Sequence, residues 1–156
     1  MKNINDLYSD SLSTLTDLYQ LTMAYGYWKN KTHERNAVFH LFYRKDPFKG
    51  NYAIAAGLEY IVHFLNNFEY RSDDLEYIAT LNGPDGSPLF EKDFLNYLGD
   101  MTFSCTVDAI PEGTVVFANE PLLRIRGPII QCQLLETVLL NIINFQTLDA
   151  TKASRV

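Results

Sequence analysis

The chain has little cysteine, and this argues against several classes of site. It contains two cysteines among 156 residues. Cys105 and Cys132 stand in neither a metal-ligand spacing nor a CxxC pair. Cys105 belongs to an alternating, strand-like run, so we expect it to be a buried and chemically inert core thiol. Such sparse cysteine is typical of the reducing cytoplasm, where we expect the protein to be located.

Long apolar runs and excess basic charge are missing as well. The longest apolar patch, residues 138–143, is short and interrupted by Asn141, so no membrane span is predicted. Residues 1–6 are polar and lack the apolar core of a signal peptide. The chain has thirteen basic and nineteen acidic residues, which gives a net charge of -6. A phosphate backbone attracts basic surfaces, so we do not expect nucleic-acid binding.

Recognisable catalytic and phosphate-binding motifs are also absent. The sequence has no G-x-G-x-x-G segment and no P-loop. No nucleophile stands at a spacing that would place it beside a base. We therefore predict no catalytic residue, no metal site and no complete catalytic set within this chain.

The patterns that are present predict an α+β fold, with helices packed on a small, mostly antiparallel sheet. The length fits one domain over residues 1–156, with helices and sheet over about 1–128 and a final helical segment over 129–156. Apolar spacing predicts the earlier helices over 17–29, 57–68, 73–81 and 89–98. Alternation predicts strands over 37–44, 52–55, 103–109, 114–117 and 122–126.

The later strands predict a small antiparallel sheet that Gly127 and Pro128 terminate. The strand over 37–44 is largely apolar on both faces, so we expect both to be covered, with Arg44 at the strand end. Arg124 and Arg126 are spaced by two, which is typical of a solvent-facing strand surface.

The most informative segment is LTDLYQLTMAYGYW, residues 15–28. Asp17 stands where a helix begins, and Gln20 three residues later completes a capping-box-like start. A helix start has unpaired N–H groups and a partial positive charge, which suit an acid and an anionic ligand. The ring of Tyr19 could stack on a planar ligand.

Five collinear segments resemble nicotinate phosphoribosyltransferase, a type II phosphoribosyltransferase. They are LTDLYQLTMAYGYW, FHLFYRKDPF, AAGLEYIVHFL, IPEGTVVFANEPLLRIRGP and QLLETVLLNIINFQTLDATKASR. Together they cover nearly the whole chain and correspond to the N-terminal domain alone. The resemblance implies that the final helix leads into an α/β barrel, which these residues do not contain. It also implies a phosphorylated histidine in that barrel, for which His33, His40 and His63 are no counterparts.

The resemblance implies a function as well as a fold. Family members form nicotinate mononucleotide and pyrophosphate from nicotinate and phosphoribosyl pyrophosphate, coupled to ATP hydrolysis with Mg²⁺, in NAD salvage. They resemble one another in forming head-to-tail homodimers, in which the N-terminal domain completes the partner's active site. Tyr19 would stack on the pyridine ring, Asp17 would help to orient it, and Arg44 would reach phosphate across the dimer. Without the barrel, this chain is expected to bind no ATP or Mg²⁺ and to be inactive.

Two alternatives remain open. The chain could be a non-catalytic remnant that acts only as a dimerisation or interaction module. It could also belong to a related nicotinamide or quinolinate phosphoribosyltransferase. One residue departs from the family pattern, because Asp149 stands where an aliphatic residue is usual. A carboxylate on a buried helix face would cost several kcal/mol unless paired, which predicts altered packing of the last helix.

Overall fold

A computed structural model describes residues 11–156. The first ten residues of the predicted polar lead-in lie outside this range. The described chain is a mixture of five helices and five strands, which confirms the predicted α+β class. The helices are α1 (Leu18–Lys29), α2 (Leu58–Asn66), α3 (Ser72–Ala79), α4 (Lys92–Gly99) and α5 (Ile129–Ala153). The strands are β1 (Asn36–Leu41), β2 (Ala53–Ile54), β3 (Thr106–Ala109), β4 (Val115–Val116) and β5 (Leu123–Pro128).

The main sheet has three antiparallel strands in the order β1-β5-β3. In the centre, β5 alternates buried Leu123 and Ile125 with exposed Arg124 and Arg126. This alternation explains the period of two in the sequence and confirms that the two arginines face solvent. Arg124 also donates two hydrogen bonds to Asp108 on β3, at 3.0 and 2.8 Å.

Two predictions about the sheet were wrong. Instead of continuing the sheet of β3 and β5, β4 pairs with β2 in a separate two-stranded ribbon. β1 is covered on one face only, because Val38 on the opposite face is 53% exposed. Exposed apolar side chains are common on folded proteins, so the apolar residues of this strand did not by themselves show that both faces are covered.

The boundary between sheet and last helix also differs from the prediction. Gly127 and Pro128 do not end the strand, since β5 continues through both and pairs with β1 at Ala37 and Asn36. Pro128 then serves as the N-cap residue of α5. Proline lacks the N–H that a first helical turn leaves unpaired, so it permits a direct passage from strand to helix.

Helix α5 is the longest element and a packing surface for much of the chain. It contacts α1, α2, β1, β2 and β5. Its first two turns are buried on nearly all sides, whereas its C-terminal half is covered on one side only. Asp149 lies on the open side and is exposed. The prediction that a buried Asp149 carboxylate would disturb the packing of this helix is therefore wrong.

A cluster of aromatic rings packs α1 against α4. Tyr25 and Trp28 on α1 approach Phe94, with ring centroids 5.1 and 5.6 Å apart. Phe90 completes the cluster at 5.6 Å from Tyr25, and Phe94 is fully buried. Such a cluster fixes the C-terminal end of α1, because tilted ring pairs add to the stability from buried area.

Candidate functional site

The start of α1 is attached to α5 by one buried amide. Gln20 is fully buried, and its Oε1 accepts hydrogen bonds from the hydroxyls of Thr16 and of Thr137, the latter at 2.7 Å. Its Nε2 donates to the hydroxyl of Tyr19 at 3.4 Å. Because Gln20 makes these contacts on the inner side, Tyr19 and Asp17 remain exposed. The buried amide thereby sets the position of both predicted ligand residues.

Asp17 is the N-cap residue of α1 in an extended conformation, but its side chain makes no capping hydrogen bond. The predicted capping box is therefore wrong, because Gln20 is engaged by Thr16 and Thr137 instead of by the N-cap backbone. An exposed carboxylate that is not used for capping is available to a ligand.

Four exposed apolar side chains form a strip around Tyr19. We call Leu15, Leu18, Tyr19 and Met23 the outer strip of α1; each is between 42% and 51% exposed. Tyr19 and Met23 are four residues apart on α1 and share one side of the helix, whereas Leu15 lies in the turn before it. An apolar strip beside a carboxylate can receive a flat ring that carries polar substituents.

Arg44 lies elsewhere, on the wall of a concavity between the main sheet and α5. This concavity has a volume of about 600 Å³. Apolar side chains of β1, β5 and α5 form most of the wall, with polar groups at Arg44, Glu136 and Asn144. β1 ends at Leu41, three residues before Arg44, so Arg44 belongs to the following loop rather than to the strand end that was predicted.

The backbone beside Arg44 is held by Tyr43. The Tyr43 hydroxyl donates to the carbonyl oxygen of Val116 at 3.0 Å and approaches Asp46 Oδ1 at 3.2 Å. Burial and the bond to Asp46 raise the pKa of Tyr43 to about 12, so the phenol remains protonated at neutral pH. The Tyr43 carbonyl in turn accepts from the Asn119 amide at 2.8 Å. These bonds fix the point from which the Arg44 side chain extends.

The loop that follows is clamped by a residue outside the predicted site. Arg155 donates to the carbonyl oxygens of Pro47 at 3.1 Å and Tyr52 at 2.9 Å, and its guanidinium lies 4.6 Å from the Tyr52 ring centroid. Gly50 contacts the guanidinium so closely that a Cβ there would overlap it. The sequence signal was the glycine in this loop, but its partner is more than a hundred residues away.

The structure therefore does not bring the three predicted residues into one pocket of a single chain. Asp17 and Tyr19 lie at the start of α1, and neither lines the concavity that contains Arg44. Lys45 and Lys49 are exposed, as expected of solvated charges. Among residues 11–156, no group of three or more His, Cys, Asp or Glu side chains is arranged to hold a metal ion. None of the helices in this range is long and apolar enough to cross a membrane.

Comparison with known proteins gives a consistent family. Residues 14–144 match the family described as the nicotinate phosphoribosyltransferase (NAPRTase) N-terminal domain. The chain is 45% identical over 147 residues to a nicotinate phosphoribosyltransferase of Bacillus subtilis (strain 168), covering 94% of this chain and 29% of the relative. It is 47% identical over 142 residues to that of Dictyostelium discoideum, covering 90% and 23%.

A solved structure is similar as well. The crystal structure of human nicotinic acid phosphoribosyltransferase superposes with a TM-score of 0.80 at 43% identity, covering 90% of this chain and 28% of that one. The chain thus spans less than a third of the length of the curated relatives it matches. The similarity supports the fold over almost the whole described range.

Proposed function

Because the chain belongs to the nicotinate phosphoribosyltransferase family and corresponds to its N-terminal domain, we propose that it supplies one wall of a nicotinate site. The reaction joins nicotinate to the phosphoribosyl group of phosphoribosyl pyrophosphate in NAD salvage and releases pyrophosphate, with ATP hydrolysis coupled to it. The chain contributes to this reaction in the cytoplasm, a compartment that agrees with its two free thiols.

One observation carries this proposal. Tyr19 is half-exposed and lies two residues after Asp17, whose carboxylate makes no capping hydrogen bond. Both residues are held against α5 through the buried Gln20. The ring stacks on the pyridine of nicotinate, and stacking of this kind contributes about 0.5–1.5 kcal/mol beyond burial. The nicotinate anion has no hydrogen-bond donor, so Asp17 helps to orient the ligand by accepting a hydrogen bond from a ribose hydroxyl of phosphoribosyl pyrophosphate beside the ring.

The separation of Arg44 from Tyr19 supports a site shared between subunits. In a head-to-tail homodimer, a partner's barrel can contact both the outer strip of α1 and the loop that carries Arg44. The planar guanidinium of Arg44 pairs with phosphate oxygens of phosphoribosyl pyrophosphate. No residue of this chain is assigned to Mg²⁺, because the described residues offer no group that fits a metal ion.

The purified 156-residue chain is expected to form no nicotinate mononucleotide. Catalysis needs the substrates to be held against each other, and this chain offers only part of the surface that would hold them. Turnover measured by chromatography of the product, with the Bacillus subtilis relative as the positive control, tests this expectation. A rate above the background without enzyme would contradict it.

A chimera tests the role of Tyr19 directly. Residues 14–144 of this chain replace the matching residues of the Bacillus subtilis relative, and the chimera is expected to be active. Tyr19→Ala should raise the KM for nicotinate about tenfold, whereas Tyr19→Phe should keep it near the parent value. Tyr77→Ala, at an exposed tyrosine on α3, is the matched control. An unchanged KM in Tyr19→Ala would remove the ring from the site.

The outer strip of α1 also favours a second candidate, an interaction module without catalysis. Exposed apolar residues that adjoin one another are typical of an association surface. Analytical ultracentrifugation of the chain, alone and mixed with the full-length relative, distinguishes the two. An interaction module should associate without affecting turnover, whereas a clean monomer in both samples would exclude it.

A further inference from the structure

The two cysteines, 27 positions apart in sequence, lie side by side in the fold. Their Sγ atoms are 4.0 Å apart, where the segment before β3 crosses the first turn of α5. Cys132 is buried, whereas Cys105 is half-buried and not buried as predicted. Since the chain contains no other cysteine, any disulfide within one molecule must join these two.

The local structure brings these sulfurs together in two ways. Gly127 on β5 leaves room for Cys105, since a Cβ there would lie 2.5 Å from its Sγ. Gln131 holds the neighbouring backbone, because its Oε1 accepts from the Ser104 amide at 2.9 Å and its Nε2 donates to the Thr102 carbonyl oxygen at 3.1 Å. The Cys105 thiol also donates to Gln131 Oε1 at 3.6 Å, so Gln131 contacts both the thiol and the backbone beside it.

The two thiols have different surroundings. Cys132 lines the concavity of about 600 Å³ between sheet and α5, which a water-sized oxidant can enter. The contact between the two sulfurs lowers the pKa of Cys132 and raises that of Cys105. The first turn of a helix also favours a thiolate at Cys132. Cys132 is thus the more readily ionised thiol, and we assign it the attack. Only 1% of the residue is exposed, so an oxidant must reach it through the concavity, and Cys105 takes the resolving role.

We propose that Cys105 and Cys132 form a reversible disulfide when hydrogen peroxide enters the concavity. The Cys132 thiolate attacks one peroxide oxygen, the O–O bond breaks, and a sulfenic acid and hydroxide form. Cys105 sulfur then attacks Cys132 sulfur, the S–O bond breaks, and the hydroxyl leaves as water with the Cys105 proton. The hydroxide takes up the proton released by Cys132, so two thiols lose two electrons and peroxide becomes two waters.

Closing the pair requires a small movement. The sulfurs must approach from 4.0 Å to about 2.05 Å, the length of a disulfide bond. The bond would tie the segment before β3 to α5 and restrict the unfolded chain. We expect the oxidised protein to unfold at a temperature several degrees above the reduced protein.

Mass spectrometry of the 156-residue chain tests the proposal. After mild peroxide treatment and alkylation, the intact mass should fall by two hydrogens, with no alkylated cysteine, and dithiothreitol should restore both thiols. A peptide that joins the segments of Cys105 and Cys132 identifies the bond. Two free thiols after treatment, separate sulfinic acids, or disulfides only between molecules would overturn the proposal.

Single variants test the order of the steps. Cys105→Ser should leave a sulfenic acid at Cys132 that dimedone traps, whereas Cys132→Ser should leave Cys105 unreactive under the same conditions. Dimedone labelling of Cys105 in the second variant and none at Cys132 in the first would overturn the assigned roles. Circular dichroism checks that each variant is folded, and the wild-type measurement decides whether the bond forms even if a variant is not.

Discussion

The two halves of α5 have the same secondary structure but opposite surroundings. From Ile130 to Leu135, six consecutive residues are buried, so the helix is enclosed by the sheet, α1 and the segment before β3. In the C-terminal half, Thr147 and Thr151 are buried while Phe145 and Leu148 are exposed. A single helix thus serves as core at one end and as a half-open surface at the other.

Beyond Ile143, the buried positions of α5 are threonines for a specific reason. Thr151 Oγ1 accepts a hydrogen bond from the Ile54 amide at 2.9 Å, and Thr147 Oγ1 accepts one from Ala56 at 3.3 Å. The ribbon of β2 and β4 has only two strands, so its outer backbone groups need other partners. The threonines provide them, and the helix takes the place of a third strand. The buried side chains of the first half therefore form the apolar core, whereas the two buried threonines of the second half satisfy backbone groups of the ribbon.

Truncation of a single side chain in the enclosed half of α5 should have the largest effect on the free energy of unfolding. Leu135 is fully buried, so Leu135→Ala should lower the free energy of unfolding by about 2–5 kcal/mol through lost burial and a cavity. Leu148→Ala, the matched change in the open half, should cost less than about 0.5 kcal/mol. Urea unfolding followed by circular dichroism measures both. Equal losses would show that something covers the open half in solution.

Removal of one hydroxyl from the second half should have an intermediate effect. Thr151→Val leaves the part-buried Ile54 amide without its partner, which should cost about 1–3 kcal/mol. Thr151→Ser keeps the hydroxyl and is the control. Hydrogen exchange at Ile54 should accelerate in the valine variant only. If exchange there is the same in both, the threonine does not stand in for a strand.

Removal of the charge on the open side of α5 should have the smallest effect on the free energy of unfolding. Asp149 is exposed, so Asp149→Asn should change the free energy of unfolding by less than about 0.5 kcal/mol. The same urea experiment measures it, with Leu148→Ala as the neighbouring comparison. A loss of several kcal/mol would mean that the carboxylate is buried in solution, contrary to its position here.

Local patterns predicted the helices well because periodicity is a local property. The spacing of apolar residues indicated all five helices, and α1 begins directly after Asp17 as expected. The pairing of strands was predicted less well. β4 pairs with β2 across 61 positions, from Val115 to Ile54, and nothing within either short strand specifies its partner. Such pairing depends on which backbone edges remain open after the chain has packed.

In the candidate site, too, the sequence indicated local features but not long-range contacts. The sequence singled out Asp17, Tyr19 and Arg44, but their roles remain predictions. It could not indicate that Gln20 would bond to Thr137, a residue 117 positions away, instead of completing a capping box. It likewise gave no sign that Arg155 clamps the loop after Arg44, or that the two cysteines meet.

The sequence by itself determined the helices, most of the strands and the family. Helix periodicity, strand alternation and the family segments are all local patterns of residues close together in the chain. Only the tertiary structure decided which faces stay open, which hydroxyls satisfy a distant backbone and which thiols become neighbours. The physical reason is that buried polar groups must find partners wherever the packed chain places them. Those partners are set by the arrangement of α5 against the sheet, not by any local pattern.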